Sequence, residues 1–74
     1  MATASSASCV EQIGEAAGAV WKTLADNGPM TMAKLVKAVG SPRDLVMQAV
    51  GWLAREDKVT IEEDRHSRIV SLRQ

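Results

Sequence analysis

Residues 31–59 read TMAKLVKAVGSPRDLVMQAVGWLAREDKV, and the stretch divides at Gly40. Before it, Thr31 offers a side-chain oxygen to the start of a helix, and Met32, Leu35, Val36 and Val39 recur at helical spacing. This predicts a short helix over 31–39. A second helix is expected at once over 41–56. Ser41 is its expected cap, and Pro42 takes the first helical position, where its missing N–H costs nothing. Asp44 favours the positive end of that helix. Leu45, Val46, Ala49, Trp52 and Leu53 form its expected buried stripe. Past Asp57 the segment KVTIE (58–62) alternates, as a half-buried strand does.

The flanks complete a pattern of three helices and a hairpin. Upstream, Ser8 and Glu11 have capping-box spacing, and Val10, Ile13, Ala17, Val20 and Leu24 make one helical stripe with Trp21 beside it. Gly28 and Pro29 stop that helix, which is expected over 8–27. Met30 is placed in a short extended piece that can supply a third strand. Downstream, RIVSLR (68–73) alternates and is expected to pair with 58–62 across the polar run 63–67. Leu24, Leu35, Leu45, Ala49, Leu53, Ile61 and Val70 are the expected core, and both Trp residues are expected to anchor it. Residues 1–7 (MATASSA) have nothing to bury against the entropy of ordering and are expected as a disordered tail before one domain at 8–74.

The fold class is therefore α+β, and the short helix, tight turn and second helix have helix-turn-helix geometry. The stretches GEAAGAVWKTLADNGPM (14–30) and AVGWLARED (49–57) resemble a small bacterial family of winged helix-turn-helix domains of unestablished function. In that pattern the helix turns through a left-handed residue into the first wing strand; many members have Gly there, where this chain has Asp57. The resemblance implies the fold and, by analogy, DNA binding. The same fold also serves as a protein-interaction module.

Composition narrows the functions. With nine Lys/Arg against nine Asp/Glu, no global field draws the chain to nucleic acid or an anionic membrane. Cys9 is the only cysteine, which excludes an internal disulfide and a Cys-rich zinc site. No secretory signal and no run of about 18 apolar residues is present, so a cytoplasmic location is expected. His66 beside Glu62, Glu63 and Asp64 reads as a solvated turn rather than a metal site. No base is positioned near Cys9 or a serine and no phosphate loop occurs, so neither catalysis nor a cofactor is expected.

Two functional readings stay open. In the first, the chain is a DNA-binding, transcription-type module. Arg43 and Gln48 on the third helix reach base edges, Lys34, Lys37, Arg65 and Arg68 hold phosphates, and Met47, Arg55 and His66 complete the expected nucleic-acid contacts. A neutral monomer with two to four such contacts binds weakly, so a dimer is expected. In the second reading the fold serves protein interaction or dimerisation without nucleic acid. Residues 41–57 carry two Arg against three acids, which favours this alternative. Met47, Val50, Gly51 and Ala54 are its expected exposed strip, meeting itself or the Gly14/Gly18 side of the first helix. Glycine inside a helix costs about 1 kcal/mol relative to alanine, so Gly14, Gly18 and Gly51 call for close packing, within the domain or against a partner.

Overall fold

Three helix ends are set by residues in the left-handed region: Gly28 and Gly40, each at φ 80°, and Asp57 at φ 66°. The computed structural model describes residues 2–73, with side chains from Cys9 onward. Its elements are α1 (Ala2–Asn27), β1 (Met30–Thr31), α2 (Met32–Val39), α3 (Arg43–Arg55), β2 (Val59–Glu63) and β3 (Arg68–Leu72). The Gly28 N–H donates to the Leu24 carbonyl at 2.8 Å and the Gly40 N–H to that of Val36 at 3.2 Å. Asp57 ends α3 more elaborately: its N–H donates to Ala54 O, and the Lys58 N–H reaches back to Leu53 O at 2.9 Å. That pair of bonds is a Schellman motif, which normally recruits glycine at this place.

The strands form one antiparallel sheet in the order β1-β3-β2. Met30 lies opposite Val70, and Val70 lies opposite Ile61 on its other side. The expected third strand near Met30 is therefore present, and β3, last in sequence, is central. Thr31 closes β1 against Ile69 and also caps α2, its hydroxyl accepting from the Lys34 N–H at 3.2 Å. On the sheet's outer face the Thr60 and Ser71 hydroxyls lie 3.0 Å apart.

The core is formed by Ala16, Ala17, Val20 and Leu24 of α1, Met32 and Leu35 of α2, Val46, Ala49, Val50 and Leu53 of α3, and Val59 and Val70 of the sheet. Leu45, Met47, Ala54 and Leu72 pack partly buried at its margin.

Several expectations are corrected. Helix α1 starts at Ala2, so residues expected as a tail are helical and Ser8 lies within the helix. The alanines in this stretch favour helix, and extending a formed helix fixes only one residue per added bond. The capping role expected of the Ser8 side chain lies outside the described residues. Pro42, not Ser41, is the N-cap of α3, and no side chain bonds there. Trp21 (47% exposed), Trp52 (53%), Val10 (71%) and Ile61 (40%) are surface residues, not core. The core between α1 and α3 is filled by small and aliphatic side chains, Ala16, Ala17 and Val20 facing Val46, Ala49 and Val50, and the indoles lie outside it. Ile61 lies on the edge strand β2, beside the central and fully buried Val70, so the cover over the sheet centre does not extend to it. Val50, expected on an exposed strip, is 1% exposed.

Candidate nucleic-acid interface

α3 carries its exposed polar side chains opposite the stripe of Val46, Ala49, Val50 and Leu53. Arg43, Asp44, Gln48 and Arg55 are all exposed, as helical spacing requires once the buried face is fixed. Gly51 is exposed among them, and Trp52 joins this surface between Gln48 and Arg55, one turn from each. Asp44 stands in the first turn and Arg55 in the last, each complementing the helix dipole.

The hairpin returns beside the start of α3. Residues 64–67 close its tip: the Asp64 N–H donates to Ser67 O at 2.8 Å, and the Asp64 carboxylate accepts from the Arg65 N–H at 2.8 Å. This geometry fans Arg65 and His66 outward, and both are exposed. Between the tip, α3 and the start of α2 lies an open groove of about 550 Å³. Arg43 and Met47 line one wall, Thr31 and Ala33 the end, and Glu63 to Arg68 the other wall.

Of the nine residues expected to contact nucleic acid, this groove gathers Arg43, Met47, Arg65, His66 and Arg68. Lys34 and Lys37 on α2, and Gln48 and Arg55 on α3, are exposed but do not line it. Arg68 is engaged with Glu63 at 3.4 Å. Among the described residues, Arg43 and Arg65 make no ion pair, so both charges remain available. Asp57, counted among the acids near α3, is offset by Arg73 at 3.5 Å and lies at the far end of the helix. Glu56 and Asp57 thus lie away from the groove, whereas Glu63 and Asp64 line it and Asp44 stands beside Arg43.

The expected strip of Met47, Val50, Gly51 and Ala54 is not a continuous exposed surface, because Val50 belongs to the core and Met47 and Ala54 pack against it. Close packing inside the domain does not explain the glycines either. A Cβ built on Gly14, Gly18 or Gly51 meets nothing within 4 Å. Among the described residues, no three His, Cys, Asp or Glu side chains converge as a metal site. The sequence reading placed Trp52 inside and missed it on the α3 surface; the pair Ala16 and Ala17 on the α1 face was the available signal of a core made of small side chains. It also missed Thr31 and Ala33 at the groove end, because the β1–β3 pairing that brings them there spans distant residues.

A winged helix-turn-helix domain family, DUF2582, matches residues 9–72. The chain belongs to this family. The winged helix-turn-helix assignment agrees with the topology: three helices and a three-stranded antiparallel sheet whose β2–β3 hairpin is the wing. The domain is 32% identical over 65 residues to an uncharacterized protein, MJ1608, of Methanocaldococcus jannaschii, covering 84% of this chain and 91% of that one. That relative is archaeal, so the restriction to bacteria implied by the resemblance is not carried over. No solved structure matches the domain. None of its described helices is long and apolar enough to cross a membrane.

Proposed function

We propose that this winged helix-turn-helix domain binds double-stranded DNA as a non-catalytic, transcription-type module of the cytoplasm. The start of α3 enters the major groove, and the wing tip holds the flanking phosphates. The observation that carries this reading is the convergence of Arg43, Arg65 and His66 on one groove, with Arg43 and Arg65 unpaired. Arg43 and Gln48 reach base edges, since arginine pairs with guanine and glutamine with adenine. Met47 supplies apolar contact between them. Lys34 and Lys37, projecting from α2, extend the positive surface along the backbone.

The test is an NMR titration with mixed-sequence duplex DNA at low and moderate salt. Amide shifts are expected at Arg43, Met47, Gln48 and residues 65–68, and not on the solvent face of α1. Three or so phosphate contacts imply a salt slope of about −3, and hence roughly 60-fold weaker binding between about 50 and 200 mM salt. An unchanged spectrum at low salt with excess duplex would remove the proposal. The second reading, protein interaction without nucleic acid, is favoured by the exposure of Trp21 and Trp52. It predicts an unchanged DNA titration together with concentration-dependent shifts.

A further inference from the structure

We propose that a second copy of this chain pairs with β2 along its open edge, antiparallel and about a two-fold axis at Ile61. The sheet order is β1-β3-β2, so β2 has a neighbour on one side only. The register sets Val59 opposite Leu72 and Glu63 opposite Arg68. It continues past both ends: the Arg73 N–H donates to Lys58 O at 2.9 Å, and the Asp64 N–H to Ser67 O at 2.8 Å. Bonded and non-bonded pairs alternate along an antiparallel ladder. Lys58, Thr60, Glu62 and Asp64 therefore turn their backbone groups toward β3, and Val59, Ile61 and Glu63 turn theirs to the open edge. Among the described residues, no backbone bond outside the ladder uses the N–H or C=O of these three. An exposed row of such groups is a template for another strand.

Charge along the strand identifies the occupant as the same strand. An axis between two residues would set an outward position against an inward one, so a two-fold pairing must centre on a residue. Centred on Ile61, it overlaps all of β2. Val59 then bonds to Glu63 of the other copy, Ile61 bonds to its own counterpart, and Thr60 stands opposite Glu62. One step beyond the strand, the exposed Lys58 stands opposite the exposed Asp64 of the other copy, an opposite-charge pair that symmetry repeats. No like charges face each other at this register. An axis at Glu62 would set that carboxylate against its own copy. An axis at Thr60 would set Glu63 against Asp57 and deprive it of a strand partner. Self-complementarity at one register is what an isologous interface requires.

The pairing also covers Ile61. Val59 and Val70 are buried on the face of the sheet that meets the helical core, and Ile61 shares that face but is exposed. The axis is normal to the sheet, so both helical layers lie on one side of it. The two Ile61 side chains then meet across the seam, which removes apolar surface from water. The result is one continuous sheet in the order β1-β3-β2-β2-β3-β1. The proposal does not depend on nucleic-acid binding.

Sedimentation of the wild-type chain across low to high micromolar concentrations is expected to show a monomer–dimer equilibrium. Amide hydrogen exchange followed by NMR locates the interface. Exchange at Val59, Ile61 and Glu63 should slow about tenfold or more as the dimer forms, while Thr60 and Glu62, already bonded to β3, change less. Lys58→Glu turns both Lys58–Asp64 pairs into like-charge pairs and should weaken the dimer about tenfold. Lys58→Glu combined with Asp64→Lys reverses both charges and should restore it. A wild-type chain monomeric throughout, or a dimer whose three outward amides exchange as fast as in the monomer, overturns the proposal. So does a folded double variant that dimerises no better than Lys58→Glu alone. If the double variant does not fold, the exchange measurement on the wild-type chain decides it.

Discussion

Asp57 holds a left-handed conformation that costs an L-residue energy glycine does not spend. Its carboxylate faces Arg73, but both side chains are well exposed, and such a pair is worth only about 0–1 kcal/mol. Asp57→Gly is therefore expected to stabilise the domain by about 0.5–1 kcal/mol, read as a rise in the thermal midpoint. A lower midpoint would mean that the ion pair outweighs the backbone term. Gly51 presents the opposite case, a helical glycine with open space at its Cβ. Gly51→Ala should raise stability by about 0.5–1 kcal/mol, seen as a higher urea midpoint at unchanged slope. Destabilisation there would show that something packs on that surface in solution.

At the scale of elements, the wing and α3 divide the work of the proposed DNA interface, and their variants separate binding from folding. Arg65→Ala together with His66→Ala changes two exposed residues at the wing tip, which supplies no core residue. The thermal midpoint should stay within about 4 °C, as is usual for surface changes of this kind, while DNA affinity falls and its salt slope flattens. Arg43→Ala should weaken binding more, because Arg43 sits on α3, the element that the proposed interface sets against the bases. The caps made these elements legible in the sequence. Thr31, Gly28 and Gly40 act locally, and each stands where its chemistry places it. The two indoles were not legible. Periodicity fixes a helical stripe only to within about one residue, and whether Trp21 or Ala16 faces inward depends on how closely a second helix approaches. Ile61 was misread for a related reason: alternation tells which face of a strand is inward but not whether a helix covers it.

At the scale of the whole molecule, twelve of the described residues form the core of this 74-residue chain. Total stability of such a domain is about 4–11 kcal/mol. Leu53 is buried and joins α3 to the core, so Leu53→Ala should cost about 2–5 kcal/mol through lost burial and the cavity left behind. At the low end of that stability range the loss would leave much of the chain unfolded at ambient temperature, and elsewhere it lowers the urea midpoint. A cost below about 1 kcal/mol would contradict the packing described. The candidate site was half legible at this scale. Arg43 and the wing arginines could be named from the sequence, but their meeting in one groove depends on a hairpin direction that no local pattern encodes.

The sheet order carries a consequence for how the chain acquires its structure during synthesis. The central strand, β3, is the last to be made, yet both β1 and β2 pair only with it. All three helices can emerge and begin to pack while Met30 and Thr31 still await partners some forty residues away. The helical part should thus gain amide protection early, and the β1 amides only with β3, a sequence that pulsed hydrogen exchange can time. A nascent chain halted before Arg68 would hold its helices over an open seam, with Val59 and Met30 unpaired and available to a chaperone or to another unfinished chain.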